Sequence, residues 1–344
     1  MRQVRPAITM LVVLTMAGVA ACADRSSKDS LQELTGGAMG TSFSVKLVSL
    51  PNAVDLEAIR GQVEQTLAVI EQQMSTYIAD SELSRFNAQR SIEWFEVSAD
   101  LCRVVAEALT LSAASDGAFD VTVGPLVNLW GFGPEGQVTE PPDAGLIAVL
   151  RQSIGYDSLH ADCSVPALRK AVPDLYVDLS AFAKGYGVDE LVTLLDAAAV
   201  ENYLVEIGGE LRMRGSNAYG EFWGIAIETP DTGGRTVQKV VRLTNAAVAT
   251  SGDYRNFFEH DGRLYSHTID PRTGYPISHD AASVTVIAET AAFADAMATA
   301  LLVMGPEIGL EFAEREGIAA MFLVRHDGHV EERASTRFAD EVSA

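Results

Sequence analysis

Strand-like segments follow one another along this chain with few helical segments between them, and this order restricts the fold more than any other feature. The strand-like segments are 41–48, which is expected to open the sheet, and then 175–180, 202–209, 211–215, 222–229, 247–252, 283–288 and 319–325. Helical periodicity of apolar residues is clear in 54–74, 99–115, 182–199 and 289–304. Strands that follow one another without a helical crossover favour antiparallel pairing. We therefore predict an α+β fold, with a largely antiparallel sheet core flanked by helices, in one large domain or two lobes.

The first 22 residues are typical of a bacterial lipoprotein signal. Arg2 and Arg5 form a basic start, an apolar run too short to span a membrane follows, and small residues lead to Cys22. We predict removal of residues 1–21, a diacylglycerol on the Cys22 thiol, and a polar tether over 22–34. An ordinary secretory peptide with a cysteine near its cleavage site is the alternative. The lipoprotein signal predicts a periplasmic protein that is anchored by lipid to the inner or the outer membrane.

The chain is strongly acidic, with a formal net charge of −22. Non-specific binding of nucleic acid needs a basic surface that neutralises phosphates, so we expect no nucleic-acid partner. Besides Cys22, the chain contains Cys102 and Cys163. These two could pair in an oxidising periplasm or remain separate buried thiols, and two cysteines are too few to indicate a disulfide framework or a zinc site.

The segment VDLSAFAKGYGVDEL places glycines in the first turns of a predicted helix, after a strand that ends at Asp178. Gly185 and Gly187 each cost about 1 kcal/mol of helix stability relative to alanine, so we expect a ligand or another backbone to approach closely. A helix N-terminus attracts phosphate through its free N–H groups, and Lys184 adds a positive charge. Close packing of the helix on the sheet, with Lys184 in solvent, is the equally good alternative.

A carboxylate and a hydroxyl lie on one face of the helix predicted for 289–304. Thr290 is a good N-cap, and Asp295 and Thr299 are four residues apart among small and apolar residues. An unpaired buried carboxylate is costly, and Mg²⁺ suits a sparse oxygen site that water and phosphate complete. The alternative is a hydrogen bond between Asp295 and a neighbouring turn.

The segment YSHTIDPRTGYPI combines a tight turn with two groups that can exchange protons. Asp270, Pro271 and Gly274 suit the positions of a turn that closes a hairpin. Such a turn does not require a histidine three residues before its aspartate. From these residues alone, the segment is either a simple turn or the rim of an active site that includes His267 and Asp270.

Aromatic residues stand near carboxylates in the segments MSTYIADSELSRFN and GAFDVTVGPLVNLWGFG. Tyr77, Phe119 and Trp130 could stack on a planar ring while Asp120 binds the edge of that ring, although aromatic residues are more often simply core. The common phosphate-loop, dinucleotide, zinc-protease and serine-hydrolase motifs do not occur in the sequence.

Together and in this order, several segments resemble the ApbE family, the periplasmic FAD:protein FMN transferases. The segments are MGTSFSV, MSTYIADSELSRFN, DGAFDVTVGPLVNLWGFG, VDLSAFAKGYGVDEL, EIGGELRMRG, AVATSGDYRNFF, HTIDPRTGYPI and ADAMATALLVMG. They extend over residues 35–305, so the resemblance predicts a transferase domain over 35–340. The lipoprotein signal fits the same family.

The resemblance implies a Mg²⁺-dependent enzyme that splits FAD, transfers the FMN half to a threonine hydroxyl of an acceptor protein, and releases AMP. By position, the flavin contacts of the family fall on Met39, Tyr77, Ala118, Phe119, Asp120, Asp178, Lys184 and Ile269. Its metal ligands fall on Asp295, Thr299 and the backbone carbonyl of Ala181. The acceptors of the family include flavin-carrying subunits of membrane redox complexes.

This chemistry predicts roles for the residues beside the turn. A threonine hydroxyl is a poor nucleophile until a base takes its proton, and His267 is the natural base at neutral pH. Asp270 is expected to orient His267 or to bind metal through water. Two other functions are consistent with the same residues: a Mg²⁺-dependent FAD pyrophosphatase that produces FMN and AMP, and a flavin-binding lipoprotein without catalysis.

Overall fold

The structure is a computed structural model that describes residues 30–134, 136, 138–230, 236–253, 256–326 and 329–343. The predicted signal peptide, Cys22 and most of the predicted tether lie outside these residues. Within the described ranges, the helices in chain order are α1 (Leu56–Met74), α2 (Glu82–Ala88), α3 (Ala99–Ala114), α4 (Gly124–Leu129), α5 (Ala144–Leu150), α6 (Ala183–Ala197), α7 (Ala291–Met304), α8 (Pro306–Glu316) and α9 (Thr336–Ser343). None of these described helices is long and apolar enough to cross a membrane.

The strands of the same part of the chain are β1 (Leu31–Ala38), β2 (Thr41–Val48), β3 (Phe95–Glu96), β4 (Leu159–Asp162), β5 (Ala167–Lys170), β6 (Asn202–Ile207), β7 (Glu210–Arg214), β8 (Trp223–Glu228), β9 (Val237–Leu243), β10 (Ala246–Gly252), β11 (Phe257–His260), β12 (Arg263–Ser266), β13 (Ile269–Asp270), β14 (Tyr275–Pro276), β15 (Ala281–Ala288), β16 (Ala319–His326) and β17 (His329–Ala334). Eight of these described strands form a central sheet in the order β1-β2-β6-β7-β10-β15-β16-β17. All neighbouring strands of this sheet are antiparallel. The prediction of an α+β fold with a largely antiparallel core is confirmed.

The central sheet is covered on both faces, and the alternation of side chains along its strands shows the two layers. In β10, Ala247 and Ala249 belong to the cores beneath the helices, whereas Ala246 and Val248 belong to the core on the opposite face. Helices α6 and α7 pack on the first face, with α1 against α6, and α9 lies on the second face together with the β8–β9 hairpin. The helices that carry the predicted site therefore rest directly on the sheet.

Helix α7 is buried on all sides, which explains its nearly continuous run of small and apolar residues. Its N-terminus is capped twice. The Thr290 hydroxyl accepts a hydrogen bond from the N–H of Phe293, as predicted, and the carboxylate of Asp189 accepts from the N–H groups of Ala291 and Ala292 at 3.0 and 2.9 Å. Because Asp189 belongs to α6, this cap also fixes α7 relative to α6.

A smaller three-stranded sheet, in the order β3-β5-β4, lies beside α3 and shares its core with the central sheet. Leu101 and Val104 of α3 belong to the same buried cluster as Met297 of α7 and Phe322 of β16. One continuous core thus joins the two sheets. The pairing that the sequence left open is also decided, because a disulfide connects Cys102 of α3 to Cys163, which directly follows β4.

Two local predictions are wrong. The sheet begins with β1 rather than with residues 41–48, so the predicted tether over 22–34 overlaps an edge strand that starts at Leu31. Residues 175–180 form no strand. Their backbone instead contacts a loop and α2: the N–H of Asp178 donates to the carbonyl of Val121 at 2.7 Å, and the N–H of Val177 donates to the side chain of Asn87 in α2.

Candidate active site

A cavity of about 690 Å³ lies where α6, α7 and the central sheet meet the loops that follow α3 and β12. Lys184 of α6, Asp295 of α7 and Thr250 of β10 contribute to its wall. This volume lies within the range typical of pockets that bind small molecules and cofactors. The fold therefore provides one concave site at the junction of the predicted segments.

Most of the residues predicted from the sequence line this cavity. They are Tyr77, Ala118, Phe119, Asp120, Asp178, Ala181, Lys184, His267, Ile269, Asp295 and Thr299. Met39 and Asp270 are not among the described lining residues. The structure thus brings distant parts of the chain together, while the chemical roles of these residues stay predictions.

Met39 lies at the turn between β1 and β2. Contrary to the predicted flavin contact, it is not among the described residues that line the cavity. Its backbone adopts a left-handed conformation, with a φ of +54°, and its N–H donates to the carboxylate of Glu71 in α1. Its apolar side chain packs with the core near Gly187, because a thioether is more stable away from water. Thr41 and Ser42, two and three residues further on, line the cavity instead.

Asp120 holds the loop that forms one wall of the cavity. Its buried carboxylate accepts hydrogen bonds from the N–H and hydroxyl of Thr122, at 2.8 and 2.7 Å, and from the N–H of Tyr156 at 3.0 Å. Burial raises the pKa of Asp120, although these hydrogen bonds oppose the shift. The carboxylate therefore stabilises the loop, and the neighbouring Ala118 and Phe119 line the cavity in a fixed position.

Tyr77 and Asp178 lie at the outer part of the same wall. The Tyr77 side chain is 68% exposed, and partial burial together with the nearby Asp178 carboxylate raises its pKa. The carboxylate of Asp178 accepts hydrogen bonds from the N–H and hydroxyl of Ser180 at 2.9 and 2.5 Å. Because an exposed aromatic ring costs free energy in water, Tyr77 is well placed to stack on a planar ligand.

Gly185 allows α6 and α7 to approach each other closely beside the cavity. A Cβ at this position would lie 2.6 Å from the carbonyl carbon of Ala291 and 2.7 Å from Cα of Ala292. The Gly185 N–H donates to the carboxylate of Asp295 at 3.2 Å. The glycine therefore serves close contact between backbones, which was one of the two alternatives considered for it.

Lys184 is held by three oxygen atoms of the protein. Its ammonium lies 3.2 Å from the carbonyl of Ser180, 3.4 Å from the carboxylate of Asp295 and 3.4 Å from the carboxylate of Glu210. Burial opposes the positive charge, but Asp295 and Glu210 outweigh this effect and raise the pKa of Lys184. Lys184 is therefore a charged member of the cavity wall, contrary to the alternative that placed it in solvent.

Glu210 is a cavity residue that sequence reasoning missed. It is the first residue of β7, it is 5% exposed, and burial raises its pKa to about 7 even though the Lys184 ammonium is close. The only signal in the sequence is an acid directly after two glycines in EIGGELRMRG. That pattern predicts a turn but gives no reason to place the acid in a site.

The residues predicted to bind metal fit a magnesium ion. Asp295 is 3% exposed and carries a carboxylate, the hydroxyl of Thr299 lies 3.1 Å from the hydroxyl of Ser251, and Ala181 lines the cavity beside them. The described residues hold no cluster of three or more His, Cys, Asp or Glu side chains that could bind a metal ion. Mg²⁺ usually takes only one or two carboxylates and keeps water and phosphate as its other ligands.

His267 has one ring nitrogen, Nε2, for which the described residues provide no hydrogen-bond partner. Its Nδ1 lies 3.1 Å from the backbone carbonyl of Asn256. Because a carbonyl only accepts hydrogen bonds, Nδ1 carries the hydrogen, and Nε2 of the neutral ring keeps its lone pair. Burial lowers the pKa of His267, although the hydrogen bond to Asn256 partly opposes this effect. The ring is therefore neutral near pH 7, as a general base must be.

Asp270 is paired with Arg272 rather than with His267, so the predicted orienting role is wrong, and the alternative of metal binding through water stays a prediction. Its carboxylate accepts hydrogen bonds from the Arg272 side chain at 2.9 and 3.0 Å and from the Arg272 N–H at 2.9 Å. A bidentate pair with a guanidinium two residues away is stronger than a neutral contact with an imidazole. Asn256 provides the orientation through its backbone, and Asp270 stabilises the turn.

The predicted turn after Asp270 is present and is anchored to the core. The backbone carbonyl of Asp270 accepts hydrogen bonds from the N–H groups of Thr273 and Gly274, and Gly274 has a φ of +82°. The indole N–H of Trp130 donates to the carbonyl of Gly274 at 3.0 Å, and its ring stacks on Tyr265 with 5.6 Å between centroids. Trp130 is thus part of the core, in agreement with the alternative that aromatic residues are structural.

Known proteins resemble this chain over nearly its whole length. The family model described as "ApbE family" matches residues 39–322. A relative from Vibrio cholerae named "FAD:protein FMN transferase" is 45% identical over 305 residues, which cover 89% of this chain and 91% of the relative. A relative of the same name from Haemophilus influenzae is 42% identical over 337 residues, which cover 96% of both chains.

Two solved structures share the fold of this chain. The structure described as "Flavin Transferase ApbE from Vibrio cholerae" has a TM-score of 0.85 at 43% identity and covers 91% of this chain and 99% of its own. The apo form of the Pseudomonas stutzeri flavinyl transferase ApbE also has a TM-score of 0.85, at 42% identity, and covers 93% and 99% of the two chains.

Proposed function

The chain belongs to the ApbE family and is a flavin transferase, and we propose that it moves the FMN half of FAD to a threonine hydroxyl of an acceptor protein in a Mg²⁺-dependent reaction. One observation supports this proposal most strongly. A single cavity contains both a histidine whose Nε2 has no partner within the described part of the chain and a buried carboxylate in a wall that also contains Thr299 and Ala181. The first group can activate a hydroxyl, and the second set can hold a cation beside phosphates.

His267 acts as the general base in this proposal. Its Nε2 takes the proton of the threonine hydroxyl as the threonine oxygen forms a bond to the phosphorus of the FMN half. The bond between this phosphorus and the oxygen that bridges to AMP breaks, and AMP leaves with the electron pair of that bond. Asn256 keeps the ring in the correct tautomer through its carbonyl.

The cation-binding residues serve the phosphates. Asp295, Thr299 and the Ala181 carbonyl would hold Mg²⁺, which when bound supplies positive charge to the pyrophosphate as its bond breaks. Lys184, at the N-terminus of α6, offers a second positive charge, and the positive end of the helix dipole adds to it. Tyr77, Ala118, Phe119, Asp178 and Ile269 form the wall that would contact the flavin.

We also propose that the mature protein is periplasmic and anchored through lipid on Cys22. The basic, apolar and small residues before Cys22 support this localisation. One acyl chain binds membranes only weakly, so stable anchoring requires the several chains of a bacterial lipoprotein. A membrane anchor would place the cavity near acceptors that are subunits of membrane redox complexes.

The proposal is tested by incubating the protein with FAD, Mg²⁺ and a candidate acceptor and following the mass of the acceptor. We expect the acceptor to gain the mass of FMN as AMP is released in equal amount. An acceptor variant with valine in place of the target threonine is the matched control and should stay unmodified. Release of free FMN without any modified acceptor would contradict the proposal and indicate a FAD pyrophosphatase.

A further inference from the structure

Glu210 carries a buried oxygen atom that the mechanism above does not use. Its Oε1 lies 3.4 Å from the Lys184 ammonium, whereas its Oε2 is buried and has no hydrogen-bond partner among the described residues. A buried carboxylate oxygen without a partner is costly. A residue that destabilises the fold in this way is expected to be retained for its effect on the site.

The β6–β7 turn places Glu210 beside Lys184. Gly208 has a φ of +65°, and a Cβ at this position would lie 3.3 Å from Cδ of Lys184 and 2.9 Å from Cγ2 of Thr41. A residue other than glycine would therefore press on the aliphatic part of the lysine. The turn leaves a path for the Lys184 side chain, whose ammonium reaches Glu210 at the first position of β7.

Two carboxylates compete for one ammonium in this cluster. Asp295 is also the carboxylate that would bind the divalent cation, and a cation at Asp295 repels the ammonium of Lys184. Among the described residues, the Ser180 carbonyl and Glu210 then remain as the partners of Lys184. Of these two groups, only Glu210 can carry a negative charge, so its carboxylate determines where the ammonium stays.

We propose that Glu210 is a positioning residue for Lys184. It keeps the ammonium in the cavity wall, available to the phosphates of FAD, when a divalent cation occupies Asp295. This inference rests on the proposed function in its use of a divalent cation, and it assigns to Glu210 a task that is separate from metal binding and from proton transfer.

The test compares FAD binding by Glu210→Gln and wild-type protein in Mg²⁺ and in EDTA, by calorimetry without an acceptor protein. In Mg²⁺ we expect the variant to bind FAD about tenfold more weakly, as expected when a charged partner of phosphate is no longer held in place. In EDTA we expect little change, because Asp295 still holds Lys184. A purely structural role would weaken binding equally in both solutions and would overturn the inference.

A double-mutant cycle separates the effect of Glu210 on Lys184 from a direct effect on FAD. Glu210→Gln should cause no further loss of FAD affinity in a Lys184→Met background, whereas additive losses would overturn the inference. Glu206→Gln removes the same charge from the neighbouring strand, where the carboxylate accepts from the N–H of Gly209. The weakening by Glu210→Gln in Mg²⁺ must exceed that of this control.

If Glu210→Gln does not fold, Glu210→Asp keeps the charge but withdraws the carboxylate by one methylene. It should show the same Mg²⁺-dependent weakening, and wild-type affinity in this variant would overturn the inference. Equal FAD affinity of the wild-type protein in Mg²⁺ and EDTA would overturn the inference and the proposed metal dependence together. Normal Mg²⁺-dependent transfer by wild type with unchanged affinity in Glu210→Gln would overturn the inference alone.

Discussion

Replacing Gly185 with alanine should destabilise the protein because the new methyl group meets the backbone of α7. It would lie 2.6 and 2.7 Å from the carbonyl carbon of Ala291 and Cα of Ala292, and closer still to the Ala291 carbonyl oxygen. Carbon atoms in contact are normally about 3.5–4.0 Å apart, so the helices would have to separate by about 1 Å. Overpacking of this kind costs about 1–3 kcal/mol, and a backbone cannot turn aside as a side chain can. We therefore take the upper end of this range, about 3 kcal/mol, and the better helix propensity of alanine, about 1 kcal/mol, reduces the net loss to about 2 kcal/mol.

Gly61 of α1 offers a matched control for the same chemical change. A Cβ at Gly61 would meet no atom within 4 Å, so Gly61→Ala should raise stability by about 0.5–1 kcal/mol through helix propensity alone. Urea unfolding of both variants and the wild type would measure the difference. Mg²⁺ affinity should fall only in Gly185→Ala, because the Gly185 N–H contacts Asp295. Equal or greater stability of Gly185→Ala relative to wild type would refute the proposed close contact between α6 and α7.

Three further predictions concern the metal, the anchor and the disulfide. Asp295→Ala should abolish Mg²⁺ binding and turnover, whereas Thr299→Ala should weaken both less because it removes a neutral ligand. Calorimetry would measure the Mg²⁺ affinity of both variants, and near-normal Mg²⁺-dependent activity in Asp295→Ala would disprove the assignment. Cys22→Ser should release the protein from the membrane fraction and abolish lipid labelling; unchanged fractionation and labelling would count against the lipoprotein signal. Reduction of the bond between Cys102 and Cys163 should lower the free energy of unfolding by about 4 kcal/mol, as loop-closure entropy predicts for a loop of this length; unchanged urea midpoints under reducing conditions would contradict this value.

The antiparallel character of the central sheet was predictable because most of its described strands have a local signal and follow one another along the chain. Strand β1 was not, since Gly36 and Gly37 interrupt its sequence and its stability comes from pairing with β2. Gly36 lies against the ring of Phe43, where a Cβ would be 2.5 Å from the nearest ring carbon. A segment whose structure depends on a partner strand shows little of it in its own sequence.

Most side chains of the site were predictable from their residue types, with Glu210 as the exception, whereas the backbone contact that orients His267 was not. Asp295, Thr299 and His267 are residue types that suggest metal binding or proton transfer by themselves. The carbonyl of Asn256 orients His267 without any requirement on side-chain type, so no sequence pattern points to it. Asp270 was misassigned because its partner Arg272, two residues away, fits it better than the histidine does.

The most direct test of the proposed mechanism is the single-turnover rate of FMN transfer to an acceptor by His267→Gln, at saturating FAD and over a range of pH. A general base contributes about 10²–10⁴ to the rate, so we predict a loss of that size with FAD affinity retained. In the wild type, burial lowers the pKa of His267 below its ordinary value of 6.5. The base is neutral and active above this lowered pKa, so the wild-type rate should fall only when the pH drops below 6.5, and the variant should lack this limb. A single-turnover rate in His267→Gln equal to that of the wild type would contradict the proposal that His267 is the base.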